Sequence, residues 1–373
     1  MNSPQKILLV QLFSNGDCLY ATTVAKQIKK DFPNCHLTWA IAGFCKSIIF
    51  NNPFVDEIRE VNDVSKNDIV AFRKLKRKIV REKKQGKWDE IFITHNMDDN
   101  QALYDGTIRG MIFRAYGKPI TEAVQPVLIL LDEEKRKVNH FAERHSLSKF
   151  RNIILWEYAP QSGQSNLNFD FVMRLSKKIS ELPGVCVILS SAKRFDSTDR
   201  VIDGSILSVR ENAELTHYCN LLIGCSSGIT WLSTSSAAKQ LPMLQLLGPQ
   251  AFFFNAPSVD FKRYNIPSEN LIEMIRVEED LIYDCVKTII INDFRTAKIK
   301  FNTELPFQFN TTRKIVYNLL CYLQFNAIKR HYRIMRSIYG KNKEFIRQFR
   351  LGIFTFPFKL IKNIWRKRIA SMF

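Results

Sequence analysis

Apolar and polar positions alternate in blocks through most of the chain. Ile7, Leu8, Leu9 and Val10 form the short apolar run that a strand covered on both faces requires. Ser14, Asn15 and Gly16 interrupt it with turn residues. Thr23, Val24, Ile28 and Phe32 then recur at roughly helical spacing, and Pro33 stops the helix. This order places Asp17 at the carboxyl end of a parallel strand, beside the first turn of a helix. Open α/β sheets bind their ligands in that crevice.

The unit repeats. Further strands are predicted over 36–41, 57–61 and 90–94, with a helix over 68–84 whose apolar stripe is Phe72, Leu75 and Ile79. A charged helix over 132–149 precedes a new strand at Ile153, Ile154 and Leu155. After it come a Ser/Gly/Gln/Asn loop, a helix near 169–179, and strands over 185–189, 206–209, 221–223 and 243–247. The pattern predicts two consecutive doubly wound α/β domains, residues 1–150 and 151–310, followed by helical sequence over 311–373 that stands outside the alternation. At 373 residues each domain can bury its own core.

Composition adds two constraints. Eight cysteines are scattered without a C-x-x-C pair or a Cys/His cluster, so no metal site is expected, and a reducing compartment suits them. No stretch approaches the ~20 apolar residues of a membrane span, and the apolar run at Ile7–Phe13 is too short for a signal peptide. The expected location is therefore the cytoplasm. The net charge of +19 is lopsided: residues 311–373 hold 15 Lys and Arg against one acid, Glu344, leaving +5 on the rest. The cations Arg73, Lys74, Lys76, Arg77 and Lys78 have no interleaved aromatics to stack bases, and they read as a solvated helix face.

Three loops stand at strand carboxyl ends: 14–17, 159–165 and 224–232. The second carries Ser162, Gly163, Gln164 and Ser165, and the third Ser226, Ser227 and Gly228 at a helix start. Small hydroxyl- and Gly-rich turns of this kind can cradle a phosphate. Either is equally a polar turn or a helix cap. Asp17 is readable as a helix-start acid or as a general base for an attacking hydroxyl. The Walker lysine loop, H-E-x-x-H and, after the first strand, G-x-G-x-x-G are absent.

Taken together, Lys6–Ile41, NNPFVDEI at 51–58, KWDEIFI at 87–93 and CNLLIGCSSGITWLSTSSAAKQLPMLQLLGP at 219–249 resemble the family 9 glycosyltransferases, the heptosyltransferase-like enzymes of bacterial surface glycans. The resemblance implies a GT-B fold, two Rossmann-like domains facing across a cleft. It implies an inverting transfer without metal or other cofactor, from a nucleoside-diphosphate-sugar to a lipopolysaccharide-core or other lipid-linked acceptor. Asp17 falls at the family's proposed base. Asn15 and Gly16 fall on the acceptor side, and Ser162–Ser165 and Ser226–Gly228 on the donor side. In the family the third loop usually reads Asp-Ser/Thr-Gly with a His downstream; here Ser226 and Trp231 occupy those places. Lys193 or Arg194, after the strand over 185–189, is the candidate for neutralising donor phosphates.

The last segment reads as a basic amphipathic helix. Phe354, Phe358, Ile361 and Trp365 form one stripe beside Lys359, Lys362 and Arg366, as suits an anionic inner-leaflet membrane surface. The expectation is a peripheral-membrane glycosyltransferase, with the stretch over 313–339 packed back on the domains. No RNA-binding module is visible, so nucleic acid is not the expected partner. The alternative is a catalytically inactive GT-B-like protein whose basic tail binds membrane or nucleic acid.

Overall fold

The structure, a computed structural model, describes residues 3–357 apart from 67, 159–164, 166, 249–255 and 306. The first half builds a four-stranded sheet from β1 (Gln5–Val10), β2 (Cys35–Ile41), β3 (Glu57–Glu60) and β4 (Glu90–Ile93), in the order β3-β2-β1-β4. All its pairings are parallel. Helices α1 (Asn15–Asp31), α2 (Ile69–Lys84) and α3 (Ile108–Tyr116) connect and cover it, and α4 (Asp132–Arg144) leads to the second half.

Strand periodicity explains the layering. Ile7 and Leu9 pack with Val24 and Ile28 of α1, whereas Leu8 and Val10 pack with Phe72, Leu75 and Ile79 of α2. Successive side chains therefore feed opposite faces of one sheet. Asp68 caps α2, accepting from Val70 N at 3.1 Å and Ala71 N at 2.9 Å.

The second sheet comprises β5 (Asn152–Glu157), β6 (Val185–Ser190), β7 (Val201–Asp203), β8 (Leu221–Gly224), β9 (Met243–Leu246) and β10 (Leu271–Met274). Its order is β10-β9-β8-β5-β6-β7, again wholly parallel. Around it lie α5 (Phe169–Ser180), α6 (Glu211–Leu215), α7 (Gly228–Leu232), α8 (Pro257–Arg263), α9 (Glu279–Ile291) and α10 (Phe294–Phe301). Ile154 and Trp156 face α5 and α9, while Ile153 and Leu155 join the apolar cluster that also holds Ile7 and Leu9. That cluster is continuous across both sheets.

Two buried arginines fasten the halves together. Arg109 of α3 pairs with Asp260 of α8 at 3.2 Å, and its guanidinium stacks on Tyr20 and Trp231. Arg210 binds both carboxylate oxygens of Glu134, at 2.6 and 2.8 Å, and donates to the carbonyls of Ser47 and Phe50. Desolvated pairs of this kind, the bidentate Arg210–Glu134 above all, hold geometry more firmly than surface pairs do.

The edge strand differs from the prediction. It occupies Val201–Asp203, and residues 206–209 form a loop instead. The Asp203 carboxylate accepts from Ser205 N and Oγ, at 2.8 and 2.9 Å, which turns the chain. Gly204 then passes so close to β6 that an added Cβ would lie 3.0 Å from Leu189 O.

The sequence after residue 310 is not one continuous helix. It forms α11 (Asn310–Cys321), α12 (Phe325–Tyr339) and α13 (Lys343–Phe354), broken at Leu323 and Gly340, both with positive φ. Ile315, Leu319, Ala327 and Ile328 pack on Ala102, Leu103, Tyr104 and Met111 of the first half. Gln324 binds Asp98, and Arg330 donates to the Asp99 carbonyl at 2.8 Å. Tyr339 donates to the Asp105 carbonyl at 2.6 Å. Asp98, Asp99 and Asp105 thus anchor these helices, and none of them lines the cavity between the sheets.

Candidate active site

The carboxyl ends of both sheets open on one cavity of about 490 Å³. From the first half it is lined by Ser14–Asp17, Tyr20, Phe44 and Lys66. From the second half come Glu157, Ser190–Ala192, the loop around Ser208, Asn212, Ser226–Ile229 and Trp231. The two helix starts meet here: a Cβ added to Gly228 would lie 3.5 Å from Asn15 Cβ.

Backbone strain marks both turns. Ser14 sits at φ 66° before α1, and Ser226 at φ 57° after β8. A non-glycine residue costs free energy in the left-handed region, and such outliers gather at ligand sites. Ser14 makes no side-chain cap for α1. Ser226 N donates to Gln245 Oε1 at 2.7 Å, which pins the second turn to β9.

Asp17 is half-buried and accepts from Asn96 Nδ2 at 2.9 Å. Desolvation pushes its pKa from 3.8 up to about 7, against the pull of the Lys66 ammonium. A carboxylate poised near neutrality is suited to accepting a proton.

Facing it is a residue that the sequence reading passed over. Glu157 ends β5, is buried, and accepts from the Ser227 hydroxyl. Its second oxygen, Oε2, has no hydrogen-bond partner among the described residues. Burial raises its pKa from 4.5 to about 7; Ser227 and the N–H groups of Ile229 and Thr230 pull it down. The signal for finding it was present: like Asp17, it is an acid at the carboxyl end of an apolar strand. Lys66, Asn96, Asn212 and Ser208 were missed as well, because they lie in loops or helix starts without local pattern, and so was Ser190, although it ends β6.

The predicted residues divide. Asn15, Gly16, Asp17, Ser226, Ser227 and Gly228 line the cavity together. Lys193 does not: it is exposed, with its ammonium 3.8 Å from the centre of the Phe169 ring, so Lys66 is the lysine on the cavity wall. Ser165 accepts from Leu167 N at 3.2 Å and is not a lining residue. Ser162, Gly163 and Gln164 lie outside the described residues, as do Phe358, Lys359, Ile361, Lys362, Trp365 and Arg366. Trp231 is buried, edge-on to Tyr20 at 5.0 Å and to Phe261 at 6.2 Å, and so belongs to the wedge between the halves. His95 is buried between Phe13 and Phe72, away from the cavity.

Two of the solved structures that share this architecture illustrate it. One is the glycosyl transferase family 9 protein from Veillonella parvula DSM 2008, with TM-score 0.53 and 16% identity over 78% of this chain and 91% of that one. The other is the E. coli ADP-heptose LPS heptosyltransferase II, with TM-score 0.50 and 13% identity over 79% and 99%. The fold is GT-B. At these identities the likeness is one of fold. No protein-family profile matches the chain, and no curated protein matches it in sequence.

Proposed function

We propose that this protein is an inverting, metal-independent glycosyltransferase that moves a sugar from a nucleoside diphosphate onto a hydroxyl of a glycolipid or lipopolysaccharide-core acceptor. The observation that carries the reading is the single cavity walled by Asp17 from one sheet and by Ser226–Gly228 and Glu157 from the other.

In the proposed reaction Asp17 takes the proton of the acceptor hydroxyl. The freed oxygen forms a bond to the anomeric carbon on the face opposite the departing diphosphate, and the bond from that carbon to the diphosphate oxygen breaks. The configuration inverts. The diphosphate lies against the Ser226–Gly228 turn, with Lys66 supplying positive charge from the rim. Glu157, protonated below about pH 7, gives a hydrogen bond to the leaving oxygen instead of repelling it. Asn96 holds the Asp17 carboxylate in place. The proposed workplace is the cytoplasmic face of the membrane; no described helix is long and apolar enough to cross it.

A panel of nucleotide-sugars in a thermal-shift assay tests the reading, because a ligand of the folded state raises the melting temperature. ADP-heptose, named for the E. coli neighbour, is the first to include. A stabilising donor should then give product with a lipid-linked acceptor. The alternative of an inactive scaffold draws on Trp231, whose indole fills the inter-sheet wedge where the family resemblance leads one to expect a His. A chain that binds no nucleoside diphosphate would favour that alternative.

A further inference from the structure

The three C-terminal helices run up, down and up. Phe309 meets Phe345 with ring centroids 6.0 Å apart, Gly352 packs on Val316, and Tyr317 meets Phe356 at 6.0 Å. α11 and α13 are therefore parallel, and both end toward the turn at Tyr322–Phe325. That end is unusually apolar for a surface: Tyr322 is 42% exposed, Leu323 71%, Phe325 57%, Ile353 41% and Phe354 69%. Leu323 is moreover held at φ 57°, a costly conformation for a side chain with no polar group to satisfy.

Cations ring the same end. Arg73, Lys76 and Arg77 of α2 share a hollow with Val80, Asp98 and Tyr322. Arg73 and Lys76 are paired with Asp98 and Asp99, at 2.7 and 2.5 Å, whereas Arg77 has no ion pair among the described residues. The Arg73 guanidinium lies 4.2 Å from the Tyr322 ring centre. Lys329 and Arg350 are exposed nearby in sequence. The one acid after residue 310, Glu344, sits at the opposite end of α13 and pairs with Arg347.

We propose that this end of the helical extension, the Tyr322–Phe325 turn with the end of α13, docks on an anionic phospholipid bilayer. Cations draw the face to the headgroups, and Leu323 and Phe325 enter the acyl boundary. A nucleic acid would reward the cations and leave Leu323 in water. A second copy would set Arg77, Lys329 and Arg350 of one face, unpaired among the described residues, against their like on the other. The docking also gives the acceptor a route. A groove of about 450 Å³ starts at Tyr322, runs between Met97, Met111 and Ile315, and reaches Asn96, the partner of Asp17. Only this route rests on the glycosyltransferase reading; the docking itself does not.

The test is flotation of the full chain, without nucleotide, with phosphatidylcholine vesicles with and without phosphatidylglycerol. Wild type should bind the anionic vesicles and release with salt. The double variant Leu323→Glu/Phe325→Glu should lose about tenfold or more in partition coefficient. Leu323→Ser/Phe325→Ser should show the same loss if the charged pair perturbs folding. Phe358→Glu/Trp365→Glu, measured in parallel, separates this face from the end of the chain. Wild-type binding by both Leu323/Phe325 variants overturns the proposal. So does a complex with RNA, or a dimer in solution, that these variants abolish while vesicle binding persists. Failure here leaves nucleotide binding, and hence the catalytic reading, untouched.

Discussion

Replacing Asp17 by Asn should stabilise the protein while abolishing transfer. In the folded chain the carboxyl ionises near pH 7, whereas unfolded it ionises near 3.8. Between those values the unfolded state has released its proton and the folded state has not, so stability falls as pH rises through the window and levels off above it. Each pKa unit is worth about 1.4 kcal/mol, so full desolvation corresponds to about 4 kcal/mol. Half-burial and water access reduce this to about 2 kcal/mol. Asn does not ionise, is nearly isosteric, and can still accept from Asn96 Nδ2. The variant should therefore match wild type near pH 3.8 and exceed it by about 2 kcal/mol well above pH 7. Urea unfolding of both proteins across that range measures the difference. Transfer should fall by about 10²–10⁴, the usual contribution of a positioned base. A stability difference that is flat with pH would refute the argument, because Asp17 would then ionise as it does in water.

Four further outcomes follow from the same geometry. Glu157→Gln keeps a hydrogen-bond donor that cannot ionise, so the alkaline decline of kcat/KM should disappear while Glu157→Ala loses activity at every pH. Lys66→Met removes the charge that lowers the Asp17 pKa, and the acid limb of the pH–rate profile should move to higher pH. Arg109→Met leaves Asp260 buried without its ion-pair partner, and urea unfolding should show a loss of about 3–5 kcal/mol, largely recovered in Arg109→Met/Asp260→Leu. Ser226→Gly relieves a left-handed backbone and should raise stability by about 1 kcal/mol, seen as a shifted urea midpoint.

The positions of the central strands follow from a signal that is strong in this sequence. Apolar runs such as Ile7–Val10 and Ile153–Leu155 are buried on both faces, so they stand out against polar turns. The weaker strands lack that contrast. β10 carries Glu273 inside a buried run, satisfied by Ser258 N at 2.9 Å, a partner that no local pattern reveals. At 206–209 the alternating residues look strand-like, yet Leu207 and Val209 serve as cavity wall. The site was legible only where chemistry coincided with a strand end. Asp17 and the Ser226–Gly228 turn fall there, whereas Lys66 and Asn96 reach the site from loops distant in sequence. The break at Leu323 escaped notice because leucine, unlike the glycine at position 340, is not a residue that announces a left-handed turn.

Calorimetric titration of wild type and Asp17→Asn with a stabilising nucleotide-sugar, coupled to detection of the glycosylated acceptor, tests the central claim most directly. Both proteins should bind the donor with closely similar Kd, and only wild type should form product. Undiminished product from Asp17→Asn, or no nucleotide-sugar bound by wild type across the panel, would contradict the account.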